Sequence, residues 1–153
     1  MKIPGNTTVQ ALNTLLQGEL TAVAGYKRAL SSPKTRAEYR PAFEECLSSH
    51  RRRVLRLQSE VVRRGGIPVS TMARTWDFLL TCFAWASQVA GMAFLSPLLH
   101  LLEILGLRRY DRVWGRLDAR ARQLVSWELF PQQVLTRQSM LLVRIAWKGA
   151  SEG

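Results

Sequence analysis

Three acids and one histidine interrupt the apolar stripes of this 153-residue chain, and buried chemistry has to start from them. Glu19 falls within Leu12, Leu16, Glu19, Val23, Tyr26 and Leu30, a three-or-four spacing that puts the carboxylate on the apolar face of a helix, with the Tyr26 phenol two turns beyond. A lone carboxylate on that face costs several kcal/mol, on the order of 3 or more, to desolvate unless it binds a cation or takes up a proton. His50 lies within Phe43, Leu47, His50, Val54 and Leu57, with Arg53 one turn further on. Glu103 follows Leu99 and Leu102 and precedes Tyr110 by two turns, repeating the acid and tyrosine spacing of the first segment. Glu128 follows Leu124 and precedes Pro131 and Leu135, a place that also suits a solvated first-turn acid. Inward acids with an imidazole can bind a metal or pair with a cation; an inward histidine alone is more often a hydrogen-bonded core residue, because a ligand needs other ligands beside it.

The elements that must position these residues read as helices. Leu12, Leu16, Leu20, Val23 and Leu30 predict a helix from Thr8 to about Leu30, with Thr7 or Thr8 as cap and Ser31-Ser32-Pro33 as the stop. A second should begin near Pro41, carry Phe43, Leu47, Val54, Leu57 and Val61, and end at Gly65-Gly66-Ile67-Pro68. A third should start with Ser70 as cap and run through Trp76. From Phe78 to Leu102 there is no acid, Arg or Lys over 25 residues, enough in principle to cross a bilayer. Polar Thr81, Ser87, Gln88, Ser96 and His100, with a break expected at Pro97, leave three readings open: a buried core helix, an interfacial membrane segment and a span. The helical pattern resumes from Pro97 to about Trp114, and a fourth region covers roughly Asp118 to Trp147, where Pro131 should kink or split it. No strand-like alternation, internal repeat or low-complexity tract appears. The expectation is an all-α antiparallel four-helix bundle over 1–153, one domain, with broken third and fourth helices.

Composition bounds the rest. Apolar residues are 47% and charged residues 22%, which excludes a disordered or disulfide-stapled chain, and the length excludes a two-domain enzyme. Cys46 and Cys82 sit in apolar stretches without metal-ligand spacing and read as reduced buried thiols, which with the polar start of the chain predicts a cytoplasmic protein, peripheral on the inner face of the membrane if it touches one. The net charge of +11 creates a positive field that favours anionic partners. Its clusters are Arg51, Arg52 and Arg56, then Arg63 and Arg64, then Arg108, Arg109, Arg112 and Arg116; each could bind anions or simply be a solvated helix face.

The run Leu12-Asn13-Thr14-Leu15-Leu16-Gln17-Gly18-Glu19-Leu20-Thr21-Ala22-Val23, with Tyr26 and an arginine-rich helix closing in Gly65-Gly66-Ile67-Pro68, resembles the ferritin-like superfamily. Within it the likeness is to an uncharacterised bacterial family of ferritin-like, stress-associated proteins and, more distantly, to the demethoxyubiquinone hydroxylases. It covers residues 8 to 76, and its most specific parts are the Gly18-Glu19 pair and the double glycine. The resemblance implies a di-iron centre built from a Glu on two helices and a Glu-x-x-His pair on each of the other two. Glu19 takes the first-helix position and Glu103 the third; the second-helix pair falls on His50-Arg51-Arg52-Arg53 and the fourth on Glu128-Leu129-Phe130-Pro131. Both motifs are broken.

Three carboxylates, one imidazole and a guanidinium do not balance two iron ions, and Arg53 would repel a metal. The expectation is that His50 and Arg53 pair with Glu19, and Glu103 with them, in place of a metal; the competing account has Arg53 snorkelling outward and Glu19 paired with Tyr26 or His50 alone. Function then reads as a metal-free, ferritin-like binding or scaffolding protein without a cofactor, its arginines docking an acidic protein or an anionic membrane. Nucleic acid would be bound only non-specifically. The alternative is a membrane-surface iron oxidoreductase resembling the hydroxylases, reduced to a single-metal site of Glu19, His50 and Glu103. An oligomer or a subunit of a membrane complex would use the apolar stretch against its partner.

Overall fold

The computed structural model describes residues 4–71 and 92–151, and among them every regular element is helical. Helix α1 spans Pro4–Ser31, α2 Arg40–Arg63 after a single 3-10 turn at Ala37–Tyr39, α3 Met92–Trp114, α4 Ala119–Leu124 and α5 Phe130–Ser151. The long helices pack antiparallel, α1 against α2 and α3, and α3 against α5, as a four-helix bundle. The start expected for the third helix after Ser70, the stretch from Phe78 to Gly91 and Cys82 lie outside the described residues.

Local chemistry sets most boundaries. α1 begins at Pro4, earlier than its pattern suggested; Thr8 lies inside it and bonds elsewhere, donating to the Arg116 carbonyl at 3.2 Å and accepting the Asp118 N–H at 3.1 Å. α2 carries Pro41 in its first turn, where a missing N–H costs nothing. It closes on Gly65, whose φ of +70° is a left-handed conformation that glycine adopts without strain. The Asp118 carboxylate accepts the Ala121 N–H at 2.8 Å and caps α4.

Pro97 does not break the third helix, contrary to the pattern-based expectation: α3 runs through it to Trp114. Leu98, Leu99 and Leu102 are buried immediately beyond it, and burial worth roughly 1.5–3 kcal/mol per side chain offsets the helix penalty of proline, about 3 kcal/mol. Nor does Pro131 split the fourth region, which stays helical from Ala119 to Ser151 and changes only its winding just before the proline. A π turn at Val125–Leu129, in which the Phe130 N–H reaches the Val125 carbonyl, widens the helix where the proline ring would press on the carbonyl of Trp127.

The interior is two apolar clusters with a polar layer between them. One holds Leu12, Leu15, Leu16, Leu57, Val61, Val113 and Leu129; the other holds Phe43, Leu47, Leu98, Leu99, Leu102, Met140 and Val143. Along each long helix the changeover falls at a buried polar residue: Glu19 on α1, His50 and Arg53 on α2, Glu103 on α3 and Gln133 on α5. No described helix is long and apolar enough to cross a membrane.

Candidate functional site

The polar layer is a connected set of charge-assisted hydrogen bonds. Both imidazole nitrogens of His50 face carboxylates, Nδ1 at 2.7 Å from Glu19 Oε2 and Nε2 at 2.9 Å from Glu103 Oε1. Arg53 Nε donates to the same Glu19 oxygen at 2.9 Å, and its Nη1 donates to Ser49 Oγ at 2.9 Å. Nη2 lies 2.7 Å from Nδ1 but only 3.4 Å from Nε2, a pair of distances that places it over the ring face; a partner in line with the Nδ1 lone pair would be much farther from Nε2. The ring plane is thus left to the two carboxylates, and an imidazole that donates to both is the doubly protonated cation. Two cations then face two anions, so the buried layer is neutral as a whole.

Two tyrosines complete the carboxylates, and they do so crosswise. Tyr110 on α3 donates to Glu19 Oε1 on α1 at 3.0 Å, while Tyr26 on α1 donates to Glu103 Oε1 on α3 at 2.6 Å. The acid and tyrosine two turns apart on one helix do not pair with each other. Antiparallel packing sets residue 19 level with residue 110 and residue 26 level with residue 103, so equal spacing on both helices gives two matching contacts. The remaining oxygen, Glu103 Oε2, accepts from Gln133 Nε2 at 2.7 Å.

The charges follow from these contacts. Burial alone would push the Glu19 carboxyl up, but the Arg53 guanidinium and the His50 imidazolium overcome it and hold its pKa at about 2. Burial works against charge on His50 too, and the hydrogen bonds to Glu103 and Glu19 win, raising it above its ordinary value. Arg53 is likewise raised: Glu19 outweighs desolvation of the guanidinium. Burial and the neighbouring carboxylates push both phenols well above their usual range, Tyr26 through Glu103 and Tyr110 through Glu19. Burial and the nearby Glu103 carry the Cys46 thiol up to about 12, which makes it an inert core thiol.

Of the expected site residues, Glu19, His50, Arg53, Glu103, Tyr26 and Tyr110 are brought together. Glu128 is not. It lies at the surface, about 40% exposed, in an ion pair with Arg56 at 2.9 Å. The π turn rotates it outward while Val125 and Leu129 take the buried positions, and the fourth inward group is Gln133, one turn after Leu129. Sequence reasoning missed Gln133 and Ser49, neutral residues whose positions five and one places from Glu128 and His50 carry no periodic signal of their own.

The arginine clusters also divide. Arg56 is paired with Glu128, Arg63 with Glu60, and Arg64 with Glu60 and Asp118, so each already has a carboxylate. Arg109 is half-buried and lies across Gly18, where a side chain would collide with its guanidinium. Arg51, Arg52, Arg108, Arg112 and Arg116 stand exposed on α2, on α3 and just beyond α3.

These residues do not fit a metal centre in this arrangement. The bonds just described occupy both nitrogens of His50 and every carboxylate oxygen of Glu19 and Glu103, and Arg53 cannot lose its proton. Among the described residues no group of three or more His, Cys, Asp or Glu is placed to hold one metal ion. The cavity beside Glu19, His50, Gly106, Arg109, Tyr110 and Gln133 is about 10 Å³, the space of a single water. The chain matches no known protein-family model, curated protein or solved structure.

Proposed function

We propose that this protein is a metal-free, ferritin-like binding or scaffolding protein, in which a buried ion-pair layer stands where the superfamily it resembles holds iron. One observation carries the reading: the fully buried Arg53 shares Glu19 Oε2 with His50, so a fixed guanidinium supplies the counter-charge at the heart of the bundle. A guanidinium carries its charge at every physiological pH and cannot be displaced by proton loss, as an imidazole ligand can. The layer serves to register four helices, since the carboxylates of Glu19 and Glu103 are satisfied by partners on the other three.

Activity on this reading resides on the surface. The chain carries +11, and among the described residues exposed Arg51, Arg52, Arg108, Arg112 and Arg116 make none of the ion pairs that occupy Arg56, Arg63 and Arg64, which suits an acidic protein or an anionic membrane. The test is metal content by elemental analysis, on protein purified without chelator and again after incubation with ferrous iron or manganese and desalting. We expect well below one ion per chain in both. Iron or manganese near one per chain, lost on Glu19→Gln substitution, would overturn the proposal.

A further inference from the structure

Helix α5 is apolar on two opposite faces, and among the described residues only one of them packs into the bundle. Met140 and Val143 point into the bundle with Gln133 and Thr136. At 100° per residue, Leu135, Gln138, Leu142 and Ile145 line the opposite face, and Leu135, Leu142 and Ile145 are 61%, 67% and 58% exposed. Leu141 extends this stripe on one side, and at the start of the helix Phe130 and the 82% exposed Trp127 of the π turn continue the apolar surface. Single exposed leucines are ordinary, whereas a row of large apolar side chains along the outer face of one helix marks a surface that another phase or molecule covers.

The charge along this helix selects the occupant. From Phe130 to Ser151 there is no acid at all, while Arg137, Arg144 and Lys148 run along the flank of the stripe, on the side of Leu141. A second copy of the chain would bring its own three cations and a net +11 against them, so self-association through this face is opposed by charge. A convex apolar stripe bordered by long cationic side chains, with a tryptophan at one end, has the chemistry of a helix lying in a bilayer surface: apolar groups enter the acyl boundary and the cations meet anionic headgroups. The geometry points to α5 as the membrane-contacting face of the protein, binding an anionic lipid surface in plane without crossing it. This rests on the scaffold reading above and goes further, since it commits the partner to a lipid surface and adds the outer face of α5 as the apolar part of the contact.

Flotation with vesicles of phosphatidylcholine containing 30% phosphatidylglycerol tests it, with pure phosphatidylcholine vesicles beside them. The comparison is between the native chain, Leu142→Glu with Ile145→Glu, and Arg51→Gln with Arg52→Gln; these side chains are exposed, and far-UV circular dichroism with a thermal melt checks that each variant folds. We expect the native protein to float with the anionic vesicles, to partition at least tenfold less onto neutral ones, and to remain partly bound in 0.5 M salt. The α5 variant should partition at least tenfold more weakly, and the α2 variant, which loses charge but no apolar contact, should be weakened clearly less. Binding unchanged in the α5 variant, no binding of the native protein, or a dimer in sedimentation that the α5 variant dissociates without any vesicle binding would each overturn the α5 assignment. Binding lost only in the α2 variant overturns it while leaving the scaffold reading intact, whereas stoichiometric metal overturns that reading and leaves the lipid contact untouched.

Discussion

Arg53→Met removes the buried guanidinium and keeps an unbranched side chain of similar reach, so it isolates the charge. Two hydrogen bonds are lost, to Glu19 and to Ser49, and Glu19 keeps only one of the two cations that share its Oε2. Breaking a buried pair by removing one partner costs about 3–5 kcal/mol. The carboxyl itself gives a comparable figure: depression from 4.5 to about 2 corresponds to a folded-state advantage on the order of 3 kcal/mol for the charged form. Against a domain stability of about 5–15 kcal/mol this is a large share. The sign with pH is specific. A depressed carboxyl contributes its stability above pH 4.5 and loses it as pH falls toward about 2, so the native protein should weaken across that window. In Arg53→Met the Glu19 pKa moves up, protonation relieves the unpaired charge, and the deficit relative to the native chain should shrink below pH 4.5. Urea unfolding followed by far-UV circular dichroism at pH 7, 5, 4 and 3 reads both effects, and Glu19→Gln combined with Arg53→Met should recover much of the loss at pH 7. A deficit under about 1 kcal/mol at pH 7, or one that is the same at pH 3 as at pH 7, would show that Arg53 is not neutralising Glu19.

Other outcomes follow from the same geometry. His50 has its pKa raised, so its contribution is complete below pH 6.5 and is lost as pH rises through its folded value; the urea midpoint should fall on the alkaline side, and His50→Gln should flatten that limb. Gly106→Ala places a methyl against the Gln133 amide that is held by Glu103, and we expect a net loss of about 1–3 kcal/mol despite alanine's better helix propensity, measured by thermal melts; Gly18→Ala, which meets the long, half-buried Arg109 side chain along its outer half, should cost less because that side chain can shift. With its pKa near 12 and its side chain buried, Cys46 should react with a thiol reagent only in urea, and fast labelling of the native protein at that residue would contradict the packing. Asp118→Ala removes the α4 cap and one partner of Arg64, for an expected loss of about 1 kcal/mol in urea titration.

The helical stripes and the inward placement of Glu19, His50 and Glu103 were legible because side chains three or four apart share a face, and a polar residue on an apolar face stands out against its neighbours. The closing of α2 at Gly65 was legible for a local reason too, since glycine tolerates a positive φ. Pro97 was misread because a local penalty was weighed without the burial of the leucines that follow it. Glu128 was misplaced because one π turn shifts the helical phase by a fraction of a turn, enough to exchange an inward acid for an outward one and to bring Gln133 inside instead.

What the amino-acid sequence by itself determined is the run of helices and the placing of Glu19, His50 and Glu103 on their apolar faces. Which of them meet was decided only in three dimensions. Tyr26 and Tyr110 each satisfy the acid of the opposite helix, and Arg53 turns in over the His50 ring instead of out to water, because antiparallel register between helices fixes the height of every polar group and no periodicity within one helix carries that information.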